Sequence, residues 1–157
     1  MDIILLVIGK IGKDYLREGI GEYVGRLRRY VPFELKVLPD IKAAGKLTEQ
    51  QQKDAEGEVI LNWLQISDCV ILLDEKGREF TSEEFADFLS RKMGSGLKRL
   101  CFVVGGPYGF AKSVYNRADG KLSLSKMTFS HEMVRLFFTE QIYRAMTILR
   151  GEPYHHR

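Results

Sequence analysis

Apolar and polar positions along the 157 residues switch repeatedly between two periods. Short apolar runs rich in β-branched side chains read as buried strands over Ile3 to Ile8, Phe33 to Leu38, Cys69 to Asp74 and Leu100 to Val104, with a weaker one near Leu122 to Ser125. Between them apolar residues recur at helical spacing. Leu16, Ile20, Tyr23, Val24 and Leu27 share one stripe of a helix predicted over Tyr15 to Tyr30. Thr48 is the N-cap of a second helix running to about Leu64, and Thr81 or Ser82 caps a third that stops near Gly94. Strands alternating with helices specify an α/β domain with a mainly parallel sheet. The sequence shows no repeat and no linker, and the polar stretch Ile41 to Thr48 reads as a loop, so one domain over residues 1–157 is expected.

The last helical segment differs from the others. Ser130 caps it, Glu132 complements its positive N-terminal end, and Arg150, Gly151 and Pro153 mark its stop. Met133, Val134, Leu136, Phe137, Phe138, Ile142, Tyr143, Met146 and Leu149 spread apolar surface over more than one face. A helix at the edge of a small domain needs one buried stripe, so the excess predicts a second partner, with a homodimer the simplest. Beyond the stop stand Tyr154, His155, His156 and Arg157, aromatic and basic groups where a frayed segment is the norm, which suggests that they are tucked into a site.

Composition narrows the classes. A chain of 18.0 kDa with 45% hydrophobic and 29% charged residues builds one ordinary core. The opening MDIILLVIGK is a strand rather than a signal peptide, and no apolar run approaches the roughly 20 residues of a membrane span, so a soluble cytoplasmic protein is expected. Cys69 and Cys101 lie inside apolar runs as core thiols, and the three histidines form no zinc pattern, so no metal is expected. Net charge is +3, which permits an RNA partner, and Arg17, Arg26, Arg28, Arg29 and Lys36 concentrate basic charge early; the plain alternative is a solvated helix face.

In open α/β sheets ligands bind beyond the carboxyl ends of strands. Gly105, Gly106 and Gly109 follow the strand LCFVV directly, and the strand DCVILLD ends at Leu73 and Asp74 before a turn at Glu75, Lys76 and Gly77. The two strand ends are candidates for one pocket, the alternative for the glycines being a plain tight turn. Residues 106–113 also come close to the phosphate loop G-x-x-x-x-G-K-[ST], but Ala111 replaces its second glycine and Pro107 removes an amide donor, which makes nucleotide hydrolysis the weaker reading. A second loop, Leu122 to Phe129, sets Ser123, Ser125 and Thr128 beside Leu124, Met127 and Phe129, a mixture that suits adenine and ribose better than phosphate.

The segments GGPYG, LSLSKMTFSHEMVR, EQIYRA and PYHHR resemble the ribosomal RNA large subunit methyltransferase H family, small members of the SPOUT superfamily, and the resemblance runs over essentially the whole chain. It implies a C-terminal trefoil knot, a homodimer, and S-adenosylmethionine as cofactor. It further implies methylation of N3 of a pseudouridine in 23S rRNA on the assembled 70S ribosome. Matched position by position, Leu73, Gly105, Leu124, Ser125, Lys126, Met127, Thr128 and Phe129 would contact the cofactor, with Gly106 beside them in the glycine turn. Glu140, Arg144, Tyr154 and His155 match the polar positions near the target base, with His155 the candidate base and Arg144 holding phosphate or the developing anion. Glu140 and Arg144 stand i, i+4 and are equally suited to pairing with each other. Relatives often end Tyr-His-Lys or Tyr-His-Arg; the additional histidine here leaves open which of His155, His156 and Arg157 faces the substrate. A ribosome-associated factor that has lost catalysis is the non-enzymatic alternative.

Overall fold

A computed structural model describes residues 1–42 and 44–156. Five strands, β1 (Asp2–Ile8), β2 (Phe33–Leu38), β3 (Cys69–Glu79), β4 (Arg99–Val104) and β5 (Gly120–Ser123), form one parallel sheet in the order β2-β1-β4-β3-β5. Helices α1 (Asp14–Leu27), α2 (Glu49–Trp63), α3 (Ser82–Met93), α4 (Lys112–Arg117) and α5 (His131–Leu149) cover both faces. A strand with helices on each side must be apolar on both, and β1 is buried from Ile3 to Ile8 and β4 from Leu100 to Val104. Ile3, Leu5, Phe102 and Val104 face one cluster with Leu16, Ile20, Phe85, Phe138 and Ile142, whereas Leu6, Ile8 and Val103 face a smaller one with Ile60, Phe110 and Val114.

The helix starts follow from local chemistry. Thr48 and Thr81 each build a capping box, with Gln51 and Glu84 respectively, which settles the third cap on Thr81 rather than Ser82. Ser130 accepts the Met133 backbone N–H at 3.1 Å. Several segments depart from the sequence reading. The first helix ends at Leu27 rather than Tyr30. The six-residue α4 begins at Lys112, in the last two residues of the segment that resembles a phosphate loop, and the weak strand is Gly120–Ser123, leaving Leu124 and Ser125 in the loop beyond it.

The largest difference is in β3. The polar residues Glu75 to Gly77, expected to turn, remain in strand conformation, and the strand runs through Glu79. Leu73 and Arg78 both stand opposite Leu122 of β5, so residues 74–77 are an irregularity inserted on the β3 side. Gly77 permits this approach: a Cβ there would lie 2.6 Å from the Leu122 backbone nitrogen.

Helix α5 packs between α1 and α3 and is tied to β1 by a buried cation. Arg135 donates from Nη1 to the Gly9 carbonyl and from Nη2 to the Ile8 carbonyl, each at 2.7 Å, while its Nε has no hydrogen-bond partner. Burial pulls its pKa below the ordinary guanidinium range.

Both cysteines are buried and free, and burial pushes the Cys101 thiol up to about 12. Thiolate is the reactive form, so a chromogenic disulfide reagent at pH 8 is expected to titrate neither Cys69 nor Cys101 until denaturant is added, and both afterwards. Rapid reaction of the native protein would show that the sheet opens locally at β3 or β4. Among the described residues no helix is long and apolar enough to cross a membrane, and no group of three or more His, Cys, Asp or Glu is placed to hold a metal ion.

Candidate functional site

A cleft of about 630 Å³ opens beyond the carboxyl end of β4 and beside the inserted stretch of β3. One wall is the middle of β3, from Leu73 through Lys76; a second is the turn Gly105–Phe110; a third is the loop from Leu124 to Ser130, with Val134 of α5 behind it. Of the nine residues read from the sequence as cofactor contacts, Leu73, Gly105, Gly106, Leu124, Ser125, Met127, Thr128 and Phe129 line this cleft. Lys126 does not: its side chain is exposed and outside the lining.

The glycine turn closes tightly. Gly109 has φ +84° and its N–H donates to the Gly106 carbonyl at 3.2 Å, which folds the loop onto itself instead of opening an amide cradle for a phosphate. Ala111 is buried, with the α2 backbone at Gly57 directly against it. Behind the turn lies Glu56, a buried carboxyl whose Oε1 has no hydrogen-bond partner. Burial raises its pKa, and the negative Asp40 adds to the effect. A Cβ on Gly106 would stand 2.5 Å from Glu56 Oε2 and force that carboxylate to shift, and one on Gly105 would stand 3.2 Å from the Phe110 ring and press on it.

The Leu124–Ser130 wall is shaped by its own hydroxyls. Ser123 Oγ donates to the Ser125 carbonyl at 2.8 Å, Ser125 Oγ accepts the Met127 N–H at 3.0 Å, and the Thr128 hydroxyl reaches across to Glu75 at 3.2 Å. That last bond joins two walls of the cleft. Asp74 on the same wall accepts the Tyr115 hydroxyl and the Lys76 backbone N–H. Glu75 and Lys76, read from the sequence as a turn beside the pocket, line it, as do Tyr108, Tyr115 and Val134, which the sequence did not single out as site residues.

The four residues assigned to the target base form a separate cluster. Arg144 donates to Glu140 from Nε at 2.9 Å and Nη2 at 3.3 Å, lies 4.8 Å from the Tyr154 ring centroid, and donates from Nη1 to His155 Nδ1 at 3.1 Å. The Glu140 bond holds the Arg144 pKa above its ordinary value. A guanidinium has only N–H groups to offer, so His155 Nδ1 is the acceptor, and the ring proton sits on Nε2, which donates to Glu83 Oε1 at 3.0 Å. Tyr154 packs edge-on against Tyr143 at 4.8 Å and meets Tyr23 at 3.5 Å between hydroxyls. Its phenol is pushed up by burial first and by the Tyr23 contact second. The Tyr30 hydroxyl donates to Glu152 at 2.6 Å, which raises its pKa to about 12. His155 is turned inward, His156 is exposed, and Arg157 lies outside the described residues.

None of Glu140, Arg144, Tyr154 and His155 lines the 630 Å³ cleft. From Val134 to Arg144 the helix rises about 15 Å, so within one chain the cleft and this cluster occupy different stations on α5.

A family model described as "Predicted SPOUT methyltransferase" matches residues 1–155. The sequence is 58% identical over its whole length to a protein of Christiangramia forsetii named "Ribosomal RNA large subunit methyltransferase H", covering 100% of both chains. A protein of the same name from Parabacteroides distasonis is 60% identical over 99% of both chains. Among solved structures, a probable methylase family protein from Haemophilus influenzae Rd KW20 superposes with a TM-score of 0.50 at 13% identity, over 95% of this chain and 66% of that one, a likeness of fold alone.

Proposed function

Since the chain belongs to the SPOUT methyltransferases, within the ribosomal RNA large subunit methyltransferase H family, we propose that it transfers a methyl group from S-adenosylmethionine to N3 of a pseudouridine in 23S rRNA of the assembled 70S ribosome. The observation that carries this reading is the cleft beyond β4, where β3, the glycine turn and the loop 124–129 bring eight of the nine expected cofactor contacts together. Its volume suits a nucleoside-sized ligand, and its apolar and hydroxyl lining suits adenine and ribose. The bound cofactor supplies an electrophilic methyl group on a sulfonium. Leu73, Leu124, Met127 and Phe129 offer apolar walls, and Ser125 and Thr128 offer hydroxyls. The glycines allow the backbone itself to approach.

The Arg144–His155 cluster joins an imidazole to a guanidinium at 3.1 Å, a pairing suited to an imide, and its distance along α5 supports a homodimer in which the C-terminal residues of one protomer complete the cleft of its partner. Leu149, exposed on α5, is consistent with such an interface. When the target displaces Arg144 from His155 Nδ1, that nitrogen takes the N3 proton, Glu83 at Nε2 steadies the resulting imidazolium, and Arg144 offsets the charge on the imidate oxygen. Arg26 lies 5.6 Å from the ring centroids of both Tyr23 and Tyr143, and with Arg28 and Arg29 it extends the cationic surface beside the cluster for rRNA phosphates. The order β4-β3-β5, with the chain returning from β5 as α5 to reach the Ile8 and Gly9 carbonyls, supports the trefoil-knotted path of the family. A ribosomal substrate puts the site of action in the cytoplasm.

The test is transfer of labelled methyl from S-adenosylmethionine to 70S ribosomes lacking the modification, with the product nucleoside mapped by mass spectrometry. Label on N3 of one 23S pseudouridine supports the whole reading. Cofactor binding with no transfer would favour the inactive ribosome-binding alternative. A further expectation concerns the glycine turn: Gly106→Ala is expected to weaken S-adenosylmethionine binding by at least about tenfold in calorimetric titration, because the Cβ meets Glu56 in a packed interior. Shortening the opposing side chain, in Gly106→Ala with Glu56→Ala, is expected to recover most of it.

A further inference from the structure

Asp74 and Glu75 line the cleft and are not used in the reading above. They stand in residues 74–77, the stretch that the register jump against β5 inserts at the cleft wall. Each carboxylate is fixed by neutral donors. Asp74 accepts from the Tyr115 hydroxyl and from the Lys76 N–H at 2.8 Å, and Glu75 accepts from the Thr128 hydroxyl at 3.2 Å. Burial, and then the bond to Asp74, push the Tyr115 phenol up to about 12, so it remains a donor across the working pH range. Among the described residues neither carboxylate has an ion-pair partner. Lys76 shares the lining, and the Lys121 ammonium lies 5.6 Å from the centroid of the Tyr115 ring. Hydrogen bonds from neutral groups orient a charge without cancelling it, and a partly enclosed cleft screens it less than bulk water does.

We propose that Asp74 and Glu75 make this cleft read the charge of its ligand, favouring the sulfonium cofactor over the thioether that remains after methyl transfer. The inference rests on the methyl-donor reading. In that reaction the N3 electron pair forms the new C–N bond, the C–S bonding pair returns to sulfur, and the N3 proton leaves to His155. The ligand therefore loses one positive charge as the product forms. Attraction to the carboxylates falls at the same moment, and the spent cofactor is held less tightly than the fresh one.

The experiment is calorimetric titration of the full-length protein at low salt with S-adenosylmethionine and with S-adenosylhomocysteine, for wild type, Glu75→Gln and Asp74→Asn. Glutamine keeps an acceptor for Thr128 and asparagine keeps one for the Lys76 N–H, so the variants remove charge rather than architecture; a thermal melt confirms that each is folded. The wild type is expected to prefer the sulfonium by about tenfold, and each variant to reduce that ratio at least about threefold by weakening the sulfonium alone. An unchanged ratio in both variants, or equal weakening of both ligands, would overturn the proposal and leave the carboxylates a shaping role. Binding of neither ligand to the wild type would overturn the methyl-donor reading along with it.

Discussion

Truncation after Gly151 is expected to lower methyl transfer to ribosomes by at least about 100-fold while leaving S-adenosylmethionine affinity within about twofold of the intact chain. The asymmetry follows from placement. All the lining of the cleft lies between Leu73 and Val134, whereas Tyr154 and His155 pack against Tyr23, Tyr143, Arg144 and Glu83 farther along α5. Removing them strips Arg144 of two neighbours but leaves its pair with Glu140 intact, so the helix stays folded. Tyr154 and His155 are themselves only partly buried, and the thermal midpoint is expected to fall by only a few degrees, about 1 kcal/mol. Single-turnover rates and cofactor titration on the same preparation separate the alternatives. Equal loss of rate and affinity would make the segment a prop for the cleft, and retained rate would remove it from the chemistry.

Arg135→Ala is expected to cost stability rather than chemistry, and to cost more of it than any surface substitution. The guanidinium is the largest of the fully buried side chains, and it alone bonds the Ile8 and Gly9 carbonyls across from α5. Alanine leaves a cavity and two carbonyls without donors. At roughly 1–3 kcal/mol per orphaned group, a loss of about 3 kcal/mol or more is expected, read as a fall of roughly 10 °C in the thermal midpoint or as a shift in the urea transition. Arg135→Lys, which reaches one carbonyl, should fall between the two. A loss below about 1 kcal/mol for the alanine variant would mean that water enters and serves both carbonyls.

The sheet was largely legible because burial on both faces leaves no ambiguity. Phe33 to Leu38 is β2 as read, and Ile3 to Ile8 and Leu100 to Val104 each fall one residue short of their strands. What escaped was structure that tertiary pairing imposes on polar sequence. Asp74 to Glu79 has the composition of a turn, yet β5 and the bare Gly77 hold it extended. Helix α4, only six residues long, shows too little periodicity to be read. At the site, the glycine turn and the loop 124–129 were recognisable as segments, and the structure brings them face to face. The Glu140–Arg144 pair was legible from its spacing. Glu83, Tyr23 and Tyr30 were not, because their contacts with the last six residues span 72, 131 and 122 positions of sequence.

Helix α5 meets the cleft at Val134 near its beginning and presents Glu140 and Arg144 to the tail cluster about two and a half and one and a half turns from its end. It is therefore a phased spacer as well as a packing element. Each residue advances the helix by 1.5 Å and about 100°, so inserting or deleting one residue between Val134 and Glu140 would swing the downstream cationic face away from its direction relative to the cleft while scarcely changing the helix length. Substitutions along α5 are judged locally, by what each side chain packs against. Its residue count is judged globally, and in evolutionary terms the spacing between these two stations should be far less free to drift than the identities of the residues that fill it.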